Sequence, residues 1–312
     1  MKKVTIVGAG KYGSMTALRV AEYDIVDTVV MTDILEGLPQ GLALDMNQSR
    51  FVEGFSTQII GTNSYEDTAD SDVIVITAGL PRKPGMSRMD LLEVNANIVT
   101  DVTNNLLKYS NEPIIIVVTN PLDQMTTLVS KVSNLPKNKV IGQAGVLDSS
   151  RFAYFISEKL GVPMKDIKAL TLGSHGETMV PAPSQCTVNG EPLNSLISSD
   201  EIDSLVEKTS NGGAEIVALL KTGSAYFAPS SAAATMVKAI ITDSNEVLPA
   251  CSWVTGEYGI NDVFLGVPTQ FGLNGVNSIV ELDLSEVEKN NLVDAAEAVK
   301  AKVSELDSII NQ

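Results

Sequence analysis

Among the 312 residues there is one histidine, His175, in Leu172-Gly173-Ser174-His175-Gly176-Glu177-Thr178, directly after a stretch that reads as a strand. A loop between glycines is a poor place for a core histidine, and imidazole is the side chain that gains and loses a proton near neutrality. Alone, His175 fits a surface or structural role as well as a chemical one. A partner is available in Val146-Leu147-Asp148-Ser149-Ser150-Arg151-Phe152, where Arg151 follows Asp148 by three residues on the same helical face. A carboxylate on Nδ1 would fix the imidazole tautomer and stabilise imidazolium, and a guanidinium beside it could grip an anionic substrate through two parallel hydrogen bonds. The competing reading of the pair is a helix N-terminal acid with a solvated cation.

A second pattern points to a nucleotide. Gly8-Ala9-Gly10-Lys11-Tyr12-Gly13 matches G-x-G-x-x-G and lies between the apolar run Val4 to Val7 and a helical stretch. The glycines permit a tight turn, close approach of backbone to a pyrophosphate, and helix packing on the strand. Asp33 ends the next apolar run, Thr28 to Thr32, 20 residues beyond Gly13. An acid there accepts hydrogen bonds from an adenosine ribose and repels a 2′-phosphate, so the pattern predicts NAD rather than NADP; the plainer alternative is a strand-end acid on a turn. With NAD bound, a histidine could exchange a proton with a substrate hydroxyl as hydride moves.

Two further segments follow predicted strands. Leu80-Pro81-Arg82-Lys83-Pro84-Gly85-Met86-Ser87-Arg88 interleaves cations with two prolines and a glycine, and reads either as a cationic lid or as a solvated basic loop. Asn120, between Thr119 and Pro121, could bond a substrate or cap a helix.

These groups need a scaffold that brings strand ends together. Val4 to Val7, Thr28 to Met31, Val73 to Ile76 and Ile114 to Val118 are β-branched runs, and helical stretches at Gly10 to Tyr23, Leu38 to Ser49 and Met89 to Tyr109 alternate with them. Strands apolar on both faces belong in a parallel sheet covered by helices, so the first half predicts an α/β, doubly wound Rossmann sheet with ligands at its carboxyl edge. Past Gly145 the texture changes. A helix over Asp148 to Leu160, a strand over Ile167 to Leu172, alternating runs from Met179 to Val188 with a turn at Asn189-Gly190, and strands over Val247 to Thr255 and Val263 to Phe271 predict antiparallel pairing. Helices are expected around Asp200 to Lys221, Ser230 to Thr242 and Ser285 to Ile309. The expected division is a nucleotide domain over 1–144 and an α+β substrate domain over 145–312.

Composition narrows the partners. Lys and Arg number 22 against 38 Asp and Glu, a net charge of −16, which argues against nucleic acid or an anionic membrane surface and requires an anionic substrate to find a local cationic pocket. No apolar run approaches the roughly 18 residues of a membrane helix. Cys186 and Cys251 are in no metal-ligand spacing, so no zinc site or disulfide framework is expected and a reducing cytoplasm fits best.

Taken together, Gly8 to Gly13, Asp33, Pro81 to Arg88, Thr119-Asn120-Pro121-Leu122-Asp123, Gly142 to Asp148, Arg151 and Gly173 to Gly176 resemble the lactate and malate dehydrogenase superfamily, on the side of the malate enzymes closer to lactate dehydrogenases. The likeness runs essentially end to end. It implies that His175 and Asp148 form the proton-transfer pair, Arg151 binds the substrate C1 carboxylate and Arg88 polarises its carbonyl. Asn120 would contact substrate and cofactor, with Asn95, Val118 and Thr119 toward the nicotinamide. Arg82 stands where lactate enzymes carry glutamine, and would pair with the second carboxylate of malate or oxaloacetate. The resemblance also implies a reaction of the tricarboxylic acid cycle and a homo-oligomer, dimer or tetramer, assembled through helices such as Leu38 to Ser49. Lys11 and Tyr12 replace the family's common Phe-Val pair, and Glu177 replaces aspartate.

The nearest alternative is a lactate or other 2-hydroxyacid dehydrogenase, told apart by the preference between oxaloacetate and pyruvate, and two more distant ones stand beside it. NAD-dependent glycosidases resemble this fold but carry a Cys and His metal site, which a single histidine without a nearby cysteine does not match. A non-catalytic NAD-sensing module would bind NADH without turning over any 2-oxoacid.

Overall fold

The computed structural model describes residues 1–81 and 87–310. Its first half runs β1 (Lys3–Val7), α1 (Lys11–Glu22), β2 (Thr28–Thr32), α2 (Leu38–Glu53), β3 (Gln58–Thr62), β4 (Val73–Ile76), α3 (Arg88–Leu106), β5 (Ile114–Val117), α4 (Leu122–Ser133) and β6 (Val140–Gly142). The second half runs α5 (Gly145–Leu160), β7 (Ile167–Lys168), β8 (Thr171–Gly173), β9 (Met179–Pro181), β10 (Thr187–Val188), β11 (Glu191–Pro192), α6 (Leu193–Leu196), α7 (Ser199–Leu220), α8 (Phe227–Ile241), β12 (Val247–Thr255), β13 (Asn261–Gly272), β14 (Gly275–Ile279) and α9 (Glu286–Ile310).

The six strands of the first half lie in the order β3-β2-β1-β4-β5-β6, all parallel, with registers such as Val4 opposite Val29 and Val73, and Val73 opposite Ile114. Every residue of β4 and β5 is buried, as apolar runs without alternation require. One face packs Val4, Ile6, Val29, Met31 and Val75 on Ala17, Val20 and Ala21 of α1 and on Ala233, Val237 and Ile240 of α8. The other packs Ile74, Ile76, Ile115 and Val117 on Leu92, Ala96 and Val99 of α3 and Met125, Leu128 and Val129 of α4. Burying each such side chain contributes about 1.5–3 kcal/mol before chain entropy is charged.

The second half continues the same sheet. β12 joins β6 antiparallel through Cys251 and Gly142, and β13, β8 and β9 follow, with β14 on β13. α9 covers this part with Leu292, Ala295, Ala296, Val299 and a partly buried Val303, the 3- and 4-residue spacing read from the sequence. The expected strand over Ile167 to Leu172 is two strands in different sheets: β7 belongs to a small sheet ordered β11-β10-β7, β8 to the large one. The Asn189-Gly190 turn closes the β10–β11 hairpin, both residues having positive φ. Sequence periodicity passed over β3, α4, β6 and β14.

Candidate active site

The residues with chemical potential gather where the parallel strands end. Gly8 follows β1, Asp33 follows β2, Thr77 follows β4, Val118 follows β5 and Gln143 follows β6, so the site stands at the carboxyl edge of the sheet, where open α/β folds bind ligands.

The glycine loop is shaped by sterics. Gly8 has φ of +100° and a Cβ on Gly13 would overlap the Gly8 carbonyl oxygen, so neither position takes a side chain. A Cβ on Gly10, the N-cap of α1, would meet nothing within 4 Å. That open space lies over an N-terminus with no side-chain cap and no acid in its first turn. Its unpartnered N–H groups and dipole suit the pyrophosphate of NAD. Asp33 Oδ2 accepts the Ala9 N–H at 2.7 Å and Oδ1 accepts the Leu35 N–H at 2.9 Å. The carboxylate is thus held against the glycine loop, where a ribose would lie, and the residues present fit the dinucleotide.

Lys11 and Tyr12 serve a different end. Lys11 is exposed, with Nζ 5.4 Å from the centre of the Tyr226 ring, and the Tyr12 hydroxyl donates to Pro229 O at 2.8 Å. The Gln143 amide stands 3.3 Å from the same hydroxyl. The Tyr12 hydroxyl has one proton, so Pro229 O at 2.8 Å is its main acceptor and Gln143 Oε1 at 3.3 Å the weaker one. Burial pushes the Tyr12 phenol pKa upward. The fingerprint loop is in this way tied to the start of α8.

The proton-transfer candidates meet as the sequence predicts. His175, in the loop between β8 and β9, places Nδ1 2.8 Å from Asp148 Oδ2, and Asp148 Oδ1 accepts from Arg151 Nη1 at 3.0 Å. Asp148 is 2% exposed and the imidazole 17%. Burial alone lowers the imidazole pKa; the charge and hydrogen bond of Asp148, with the charge of Asp123, outweigh it and the opposing Arg151, so the net direction is up. Arg151 lies against α7, where Gly212 and Gly213 leave room for it. A Cβ on Gly213 would come within 3.3 Å of Arg151 Nη2. Glu177 is exposed.

Two strand-end loops complete the arrangement. Asn95 on α3 is 1% exposed, with Nδ2 bonded to Leu80 O and Asn120 O and Oδ1 to the Leu80 N–H. Its amide is a clip between the loops after β4 and β5 rather than a group presented to a ligand. Thr119 is buried and donates to Ala78 O at 2.6 Å, Val118 is partly buried, and Asn120 is exposed. The N-cap of α4 is Pro121 with no side-chain cap bond, which sets aside the capping role for Asn120. Arg82 lies outside the described residues, as does the side chain of Arg88, whose main chain opens α3 behind a Ser87 and Asp90 capping box. Sequence reading assigned no role to Gln143, Asp123 or the Gly212-Gly213 pair; a double glycine inside a helical pattern was the one available signal of close approach.

Among the described residues, no helix is long and apolar enough to cross a membrane and no cluster of His, Cys, Asp and Glu could hold a metal ion. Comparison with known proteins bears on the whole chain. Residues 2–142 match the lactate/malate dehydrogenase NAD binding domain and residues 145–309 its alpha/beta C-terminal domain. A malate dehydrogenase of Pelodictyon phaeoclathratiforme is 50% identical over 308 residues, 99% of each chain. The malate dehydrogenase structure from Salinibacter ruber superposes with a TM-score of 0.95 at 45% identity, covering 99% of both chains. A Cryptosporidium parvum lactate dehydrogenase, solved with lactic acid and nicotinamide adenine dinucleotide, superposes with a TM-score of 0.94 at 42% identity over 98% of both chains. Backbone likeness is therefore shared by both substrate classes, while the two matched domains account for both halves of the sheet and for the loops at its edge: the chain belongs to the lactate/malate dehydrogenase family and is an NAD-dependent oxidoreductase.

Proposed function

We propose that the chain interconverts malate and oxaloacetate, a step of the tricarboxylic acid cycle, with His175, Asp148 and Arg151 at the centre of the reaction. The observation that carries the reading is one carboxylate, Asp148, bonded to both the imidazole and the guanidinium. NAD held by the Gly8 to Gly13 loop and Asp33 would supply the hydride-transfer chemistry in either direction. His175 keeps Nδ1 on Asp148, which leaves Nε2 for the substrate oxygen: imidazolium gives that proton to oxaloacetate, and neutral imidazole takes it from malate. Asp148 stabilises the charged form, and Arg151, anchored by one nitrogen, offers its remaining N–H groups to the C1 carboxylate. Arg88 is assigned the developing negative charge on the carbonyl oxygen, and Asn120, exposed at the end of β5, a hydrogen bond to substrate and cofactor.

Choice of substrate is assigned to Arg82. A dianion satisfies Arg151 and Arg82 together, whereas pyruvate leaves one guanidinium without a counter-charge in a closed pocket. Steady-state rates with NADH should favour oxaloacetate over pyruvate. Arg82→Gln should lower kcat/KM for oxaloacetate by at least about 10²-fold, roughly 3 kcal/mol for stranding a desolvated charge, while pyruvate holds or improves. Equal loss for both would make Arg82 a residue of loop closure and remove the argument for malate.

The reading extends to assembly and location. Leu44, Phe51 and Val52 are exposed on one face of α2, Phe51 at 96%, and a second copy of the chain is the partner proposed for it. Both cysteines are buried and free, which suits a reducing cytoplasm.

A further inference from the structure

The loop that carries His175 closes on itself: Ser174 N–H reaches Thr178 O, Gly176 N–H reaches Ser174 O, and the Ser174 and Thr178 hydroxyls are 2.6 Å apart. None of these bonds tells the loop where to stand relative to the first half of the chain. One main-chain bond does. The His175 N–H donates to Asp123 Oδ2 at 3.1 Å, across 52 residues of sequence. Asp123 lies in the first turn of α4, directly behind the Val118-Thr119-Asn120 loop that Asn95 clips in place. Its other oxygen faces Cys251 Sγ of β12 at 3.5 Å. Burial holds Cys251 as a protonated thiol, so this contact is a weak S–H donor rather than a second anion.

We propose that Asp123 is a positioning residue for the reaction: as a hydrogen-bond acceptor it fixes the His175 main chain against the loop after β5, and so sets the distance between the proton carrier and the groups that hold the reacting carbon. The inference rests on the proton-transfer role given to His175 above. Asp123 is partly buried, and removal from water is the largest influence on its carboxyl, raising its pKa against the lowering influence of His175, Cys251 and Lys302 of α9. A group that is costly to ionise and has an N–H and an S–H to accept from needs its oxygens more than its charge. The amide of asparagine keeps an oxygen of the same reach.

Asp123→Ala removes the acceptor and Asp123→Asn keeps it. The alanine variant should lose about 30-fold or more in kcat with oxaloacetate, the scale of a catalytic group misplaced by a fraction of an ångström to one ångström, with NADH affinity and KM within about 3-fold of wild type. The asparagine variant should stay within about 5-fold of wild type in kcat. Because His175 is the one histidine of the chain, its imidazole gives a single unambiguous resonance in a histidine-labelled sample. Compared at a pH low enough that the imidazole is fully protonated in every variant, since both substitutions remove a charge that raises its pKa, that resonance should move or broaden in the alanine variant and hold its wild-type position in the asparagine variant. Asp123→Ser, whose hydroxyl is too short to reach, replaces the alanine variant if that one fails to fold.

Full activity and an unmoved resonance in the alanine variant would overturn the proposal. So would parallel loss of NADH binding and kcat, or an asparagine variant as impaired as alanine. If wild-type protein did not turn over oxaloacetate, the function above would fall, while the resonance would still report whether Asp123 holds the loop.

Discussion

His175 is legible in the sequence because it is alone, and its chemistry follows from what its two ring nitrogens face. Nδ1 meets Asp148 at 2.8 Å, and the imidazole pKa lies above the ordinary value of about 6.5. Reduction of oxaloacetate consumes the protonated form, so its kcat/KM should be full at low pH and fall through an apparent pKa above about 6.5, while malate oxidation should rise through the same group. The stability contribution has the matching sign: a raised folded-state pKa stabilises fully below the unfolded value and is lost as pH rises through the folded one. Asp148→Asn removes the charge and the fixed tautomer together. It should move the limb downward and cost about 10²–10⁴-fold in kcat, read from pH-rate profiles in both directions. An unmoved limb would detach Asp148 from the imidazole. Asp123 was not legible in this way, because its bond is to the main chain of a residue 52 positions away, and no side-chain pattern announces such a contact.

Elements were legible where periodicity and burial agree. β12 has the bounds that its apolar run predicts, and α9 buries the face that its spacing marks. α4 carries Leu122, Met125, Leu128, Val129 and Val132 at helical spacing, but four β-branched residues among its twelve, Thr126, Thr127, Val129 and Val132, are poor helix formers and mask that stripe. Eight of the twelve residues are buried, and Thr126 and Thr127 return their hydroxyls to Leu122 O and Asp123 O. Tertiary packing, not propensity, makes this helix. α7 shows the reverse bargain: Gly212 and Gly213 weaken a helix by about 1 kcal/mol each relative to alanine, yet they leave the space that Arg151 occupies. Gly213→Ala should therefore keep or raise the melting temperature while pressing on the guanidinium. KM for oxaloacetate should rise about 10-fold, with NADH affinity unchanged. A variant with unaltered KM would show that Arg151 yields without cost and that the glycine serves the helix alone.

At the scale of the whole molecule, the sheet is complete within one chain, but the surface is not quiet. A net charge of −16 should keep copies apart. Against that field, α2 buries only Pro39 and Ala43 and exposes Leu44, Phe51 and Val52, spaced seven and eight residues along one helical face, beside an exposed Ile34 and Leu35. Solvating that much apolar surface is unfavourable at about 25 cal/mol per Å², and a two-fold contact would remove each side chain from water twice. The wild-type protein should run in solution as a multiple of its 33.1 kDa chain mass. Phe51→Glu with Val52→Glu would bring like charges together across such a contact, so the double variant should weaken assembly by about 10³-fold or more and shift toward 33.1 kDa at micromolar concentration. Light scattering on a sizing column reads both. A wild-type protein already at 33.1 kDa, or a double variant with unchanged mass, would remove α2 from any contact between copies and leave its apolar face to be explained by another partner.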